Sequence, residues 1–157
     1  MELEKLNKVC DNVRDRTIIH FLKSTGCRIS EVLELNRDSV NLEGMECVVH
    51  GKGDKERTVY LSEIATELLK QYLEERTDQN EALFVSKSGG KRLQPGGVRM
   101  MLNKWADLAG VEHVHPHKFR RTLATELSRH GMPIQDVQAI LGHEKIDTTM
   151  QYVQMND

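Results

Sequence analysis

No run of eighteen apolar residues occurs in the 157-residue chain, and its first residues are acidic and polar, not basic and then apolar. A bilayer-spanning helix needs about 20 mainly apolar residues and a secretory leader needs a charged start with an apolar middle, so neither is expected. The three cysteines, Cys10, Cys27 and Cys47, include no Cys-x-x-Cys pair. An odd, unpaired set argues against a disulfide framework and makes a reducing cytoplasm the expected setting. Internal repeats and low-complexity tracts are missing too. One domain over residues 1–157, with an ordinary hydrophobic core, is expected at this length.

Excess positive charge is also missing from the whole, since the formal net charge is −2. By itself that points mildly away from a nucleic-acid partner, but the distribution carries more than the sum. Residues 1–86 hold 12 Lys/Arg against 17 Asp/Glu, and residues 122–157 hold 2 against 5. Residues 87–121 hold 8 against 2. This basic stretch leads into a His-x-x-Arg motif, so a phosphate-facing surface is the better expectation than a merely solvated face.

The pattern of apolar residues predicts a mainly α fold with one small antiparallel sheet. Arg14 to Lys23 reads as a helix ended by Thr25-Gly26, and a short helix follows, capped at or just before Ser30. Glu46–His50 and Arg57–Leu61, rich in Val, Thr and Tyr, flank Gly51-Lys52-Gly53-Asp54 and read as a hairpin, with Ser39–Leu42 as a third strand. Ser62 caps a helix with Ile64, Leu68, Tyr72 and Leu73 on one stripe. Leu83–Val85 reads as a short extended piece. Pro95 opens a helix with Val98, Met101, Leu102, Trp105 and Leu108 inward, closed by Gly110. Pro116 opens another, with Phe119, Leu123 and Leu127 inward. Pro133 opens a third, with Ile134, Val137, Ile140 and Leu141 inside, and Asp147 is expected to cap a last short helix carrying Tyr152.

Six residues suit a single chemistry. Arg28, Lys52, His117, Arg120, His143 and Tyr152 supply a phenolic hydroxyl, two guanidiniums, an ammonium and two imidazoles. A tyrosine hydroxyl, with pKa near 10, is about one-thousandth ionised at neutral pH and needs positive charge and a base to attack phosphorus. Two arginines can clamp the charge that builds on non-bridging oxygens, which lysine cannot imitate. A leaving hydroxyl needs a general acid. Arg28 and Glu31, three apart at a helix start, share a face, so the carboxylate can orient the guanidinium. His117 and Arg120 share another face.

The motifs Thr25-Gly26-x-Arg28-x-Ser30-Glu31, His117-x-x-Arg120 and Leu141-Gly142-His143, with Thr148 and Tyr152 following, resemble the catalytic domain of the tyrosine recombinase (phage integrase) family. The resemblance runs from about Arg14 to Tyr152. It implies that Arg28 and Arg120 are the two catalytic arginines, Lys52 the hairpin proton donor and Tyr152 the nucleophile forming a 3′-phosphotyrosine, with no metal or other cofactor. Arg121, where many relatives carry histidine, reads as an added phosphate contact or a salt-bridge partner. Lys55, Arg57, Arg92 and Arg99 are expected to contact DNA. The family pattern also includes an N-terminal core-DNA-binding domain that this chain is read as lacking, and a tetramer on double-stranded DNA in the full-length protein. The isolated chain is expected to be monomeric and to bind DNA weakly.

Other classes fit less well. A metal-dependent hydrolase built on His113, His115 and His117 is interrupted by Pro116 and has only Glu112 as a nearby carboxylate. A non-catalytic DNA-binding module would not need the six residues. A type IB topoisomerase uses nearly the same chemistry, and the short chain with its Leu-Gly-His…Tyr signature favours a recombinase.

Overall fold

Asn12 starts and Gly26 stops the helix against which much of the chain packs. Asn12 Oδ1 accepts the Asp15 backbone N–H at 3.0 Å, the usual satisfaction of an orphan donor in a first helical turn. At the other end Gly26 takes φ +64° and its N–H donates to the Leu22 carbonyl. The computed structural model describes residues 2–87, 90–112 and 114–142; the expected helix after Asp147 lies outside them. Its helices are α1 (Glu2–Val9), α2 (Val13–Thr25), α3 (Ile29–Leu33), α4 (Glu63–Glu75), α5 (Pro95–Ala109), α6 (Pro116–Arg129) and α7 (Ile134–Leu141). The strands are β1 (Val40–Asn41), β2 (Glu46–His50) and β3 (Glu56–Tyr60). Helix α2 packs on α4 and α6, α1 on α5, and α6 on α7.

The strands form one antiparallel sheet in the order β1-β2-β3, with Cys47 opposite Val59 and Val49 opposite Arg57. Side chains alternate across a strand, so the face that buries Cys47, Val49 and Val59 also receives Arg57. A cation thus points toward the core. The hairpin closes through the Gly51 N–H, which donates to the Lys55 carbonyl at 2.7 Å.

Among the described residues two apolar clusters result. The larger gathers residues from α1 to α6 and the sheet, including Leu6, Ile18, Phe21, Leu69, Phe84, Leu102 and Phe119. The smaller holds Ala124, Val137 and Leu141, with Leu123, Leu127 and Met132 packed around them. Helix α1 has no counterpart in the sequence-based expectation; it is polar on average, yet Leu3 and Leu6 are buried. Ile64, Leu108 and Ile140, expected inside, are exposed at 57%, 62% and 36%. In α4 the buried stripe runs through Ala65, Leu68, Leu69 and Tyr72, one residue, or about 100°, away from Ile64. Among the described residues no helix is long and apolar enough to cross a membrane.

One buried charge anchors α2 to α5. Asp15 is fully buried and accepts the Trp105 indole N–H at 2.9 Å. It also accepts the Arg14 Nε–H at 2.9 Å and Nη2–H at 2.8 Å. Removing one partner of such a pair leaves the other desolvated and uncompensated, at a cost of about 3 kcal/mol or more. Asp15→Ala should therefore lose about 3 kcal/mol in urea unfolding, whereas Asp15→Asn, which keeps an acceptor for Trp105, should lose less. A loss below about 1 kcal/mol for Asp15→Ala would remove its anchoring role.

Candidate active site

The break at Gly26 is forced by close packing. A Cβ there would lie 2.7 Å from both Leu123 Cδ2 and Leu141 Cδ2, and the positive φ independently favours glycine. Immediately beyond it, Arg28 stands at the cap position of α3 with extended backbone. Its backbone N–H donates to Glu31 Oε1 at 2.8 Å. Its guanidinium lies 4.0 Å from Glu31 Oε2 and is 37% exposed, which leaves it accessible to an incoming anion.

Glu31 is mainly the partner of another arginine. Arg57 Nη2 donates to Glu31 Oε1 at 3.1 Å, and Nη1 donates to Oε2, a two-pronged pair inside the protein. Burial raises the Glu31 pKa, but the Arg57 hydrogen bonds and the Arg28 N–H outweigh it and hold the carboxyl below 4.5. The third donor of Arg57, Nε–H, reaches the Ile140 carbonyl at 3.1 Å. With its side chain only 14% exposed, Arg57 has an internal role in place of the expected outward DNA contact. Its position beside Val59 on the apolar face of β3 is the sequence signal that shows this.

Arg120 is 1% exposed. Its Nη1 donates to the Gly26 carbonyl and its Nη2 to the Leu141 carbonyl at 3.0 Å. These acceptors lie two residues before Arg28 and two before His143 in the sequence. His117, one turn earlier on α6, is exposed. Partial burial of its ring, followed by the charges of Arg120, Arg121, His115 and Arg28, lowers its pKa below 6.5. Arg120 and Arg28 are thus each close enough to act electrically on His117, and a neutral imidazole is available at pH 7.

The other expected contacts divide by exposure. Lys52 sits at the hairpin tip and is exposed, as are Lys55 and Arg99, whereas Arg121 is half-buried. Arg92 turns inward: Nη1 donates to the carbonyls of Leu33 and Leu35, both at 2.9 Å, and Nη2 to Asn36 Oδ1. It neutralises the carbonyl end of α3, a role the local basic composition does not reveal. His143 and Tyr152 lie outside the described residues, as does His113 of the histidine run.

The whole chain, residues 1–157, matches the family described as the phage integrase family. The chain belongs to this family of tyrosine recombinases. It is 36% identical over 151 residues to the tyrosine recombinase XerC of Alcanivorax borkumensis, covering 92% of this chain and 48% of that protein. To XerA of Pyrococcus horikoshii it is 34% identical over 157 residues, covering 98% and 55%. The chain therefore spans about half the length of the curated relatives it matches. The crystal structure of XerA recombinase superposes with a TM-score of 0.90 at 33% identity, over 99% of this chain and 57% of that one. XerH bound to a palindromic difH substrate, in a post-cleavage complex, gives 0.82 at 28% identity, over 99% and 47%. The mainly helical architecture with a three-stranded sheet is the tyrosine-recombinase catalytic-domain fold.

The histidine environment is open to a direct check. Folded His117 holds its proton less firmly than the unfolded residue, so its contribution to stability is present above about pH 6.5 and falls away as protonation is forced at lower pH. NMR titration should give a His117 midpoint below 6.5, and Arg121→Gln should raise it only part of the way, because burial is the larger cause. A midpoint above 6.5 in the unaltered chain would remove the neutral imidazole from the site.

Proposed function

We propose that this chain is the catalytic domain of a site-specific DNA recombinase or integrase, which cuts and rejoins strands through a covalent 3′-phosphotyrosine on Tyr152. The observation that carries the reading is the Arg120 side chain. It ties Gly26, two residues before Arg28, to Leu141, two residues before His143, which supports reading the three motifs as parts of one site. Family membership adds a second support, and relatives such as XerH have been crystallised with DNA substrates.

The chemistry follows from the residue types. The Tyr152 oxygen attacks phosphorus while a neighbouring base, for which neutral His117 is suited, accepts the phenolic proton. Arg28 and Arg120 offset the negative charge that grows on the non-bridging oxygens. As the bond from phosphorus to the 5′-oxygen breaks, Lys52 gives that oxygen a proton. Rejoining runs the same steps backward: the 5′-hydroxyl attacks and tyrosine leaves. His143 is assigned to the phosphate side through its motif. No metal or nucleotide is required by these steps.

The partner is double-stranded DNA, approached through Arg28, Lys52, Lys55, Arg99 and Arg121. Assembly into a tetramer on DNA, with an N-terminal clamp, belongs to the full-length protein, and a cytoplasmic location fits the three free thiols. The topoisomerase-like alternative draws no support from the recombinases compared above. Because Arg120 also holds the fold together, Arg28 is the cleaner arginine for kinetic dissection of the phosphate clamp.

On a nicked suicide duplex the unaltered chain should form a denaturant-resistant protein–DNA adduct without added metal, and Tyr152→Phe should form none. An adduct with the phenylalanine variant would assign the nucleophile elsewhere. Lys52 has its own test, since a bridging 5′-sulfur makes a leaving group that needs no proton. Lys52→Ala should be roughly a hundredfold slow on the oxygen substrate and close to normal on the sulfur one. Equal defects on both substrates would move the acid role away from Lys52.

A further inference from the structure

Arg57 has a demand on it that a phosphate contact does not explain. It begins on the inward face of β3, yet its guanidinium meets four other segments. Two N–H groups go to Glu31 on α3, the Nε–H goes to the Ile140 carbonyl in the last turn of α7, and Nη2 lies 4.0 Å from the buried Cys27 thiol. Two glycines also line the guanidinium. A Cβ at Gly142 would sit 2.6 Å from Nη1, and one at Gly51 would sit 3.5 Å from it and 3.3 Å from Glu31 Oε2. Gly51 is the residue before Lys52, and Gly142 is the residue before His143. A planar fork with donors in three directions fits this place; an ammonium, with its charge at one point, does not.

We propose that Arg57 is a positioning residue: it fixes the root of the Lys52 hairpin and the carbonyl end of α7 to one buried carboxylate, Glu31, and so sets the spacing between the proton donor and the arginine-bearing helices. This rests on the recombinase reading above for its catalytic consequence, though not for its structural one. Through Glu31 the same contact reaches Arg28, whose N–H and guanidinium face the two oxygens that Arg57 engages. The hairpin, α3 and the end of α7 are separated widely in sequence, and this side chain is where they meet.

The test uses the whole chain with Arg57→Lys, which keeps the charge, and Glu31→Gln, which keeps the shape. Amide hydrogen exchange needs neither DNA nor activity. Both variants should speed exchange at Gly51 and in the last turn of α7 by at least about tenfold, while the amides of α2 and α5 keep their protection. Unchanged exchange at those places would overturn the proposal, and loss of protection throughout the chain would make Arg57 a general stability residue instead. In single-turnover cleavage at saturating nicked duplex, Arg57→Lys should be about a hundredfold slower with unchanged DNA affinity, as expected for small displacements of reacting groups. Part of that defect should be relieved by the 5′-sulfur substrate, because the displaced group is Lys52. If affinity falls instead and an Arg57→Gln variant lowers the salt slope by about one, Arg57 is a phosphate contact and the proposal fails. If the unaltered chain forms no adduct at all, the recombinase reading falls while the exchange result still decides what Arg57 holds.

Discussion

The geometry of this domain depends on one buried guanidinium that bridges two helix ends. Arg120 donates to the carbonyls of Gly26 and Leu141, the cap residue of α2 and the last residue of α7. Helix carbonyl ends carry partial negative charge, so two helix termini converge on one cation and offset part of its desolvation. Backbone dipoles thus help to hold the arginine in place.

Arg57 solves the opposite problem. Its charge is balanced by Glu31, and removing either partner of a buried pair typically costs about 3–5 kcal/mol. Arg57 and Arg120 thus differ in setting: the first pairs with a carboxylate, and the second donates to peptide carbonyls. That inward placement matters in a chain of net charge −2. It also tempers the basic stretch over 87–121: Arg92 and Arg120 point inward, and Lys87 lies 4.0 Å from buried Asp15. The count of cations in that stretch exceeds the number that face solvent.

Much of the fold can be read in the chain because its element boundaries are chemical. Pro95 and Pro116 open helices, Gly26, Gly110 and Gly142 close them in the left-handed region, and the residues around Gly51 to Asp54 make the hairpin. The charges of Arg120 and Arg28 reach His117. Harder to read are properties that exist only between elements. Helix α1 is too polar on average to announce itself, and its two buried leucines make sense only with α5 beside them. Arg57 and Arg92 look like surface cations when counted locally; their partners lie 26 and 56 to 59 residues away. The exposed Ile64 and Leu108 show the same limit, since the stripe that is buried depends on the neighbour it meets.

The division of the apolar interior into two unequal clusters has a consequence for motion. The cluster under α7 contains three buried residues, whose burial contributes on the order of 5 kcal/mol, far below what the main core supplies. Lifting α7 from α6 would break that small cluster and the two arginine links, and leave the large core intact. Such an opening is a sub-global event, with its own equilibrium set by a handful of contacts. Detachment of this one eight-residue helix would free the Ile140 and Leu141 carbonyls from the two arginines, with the rest of the domain still folded.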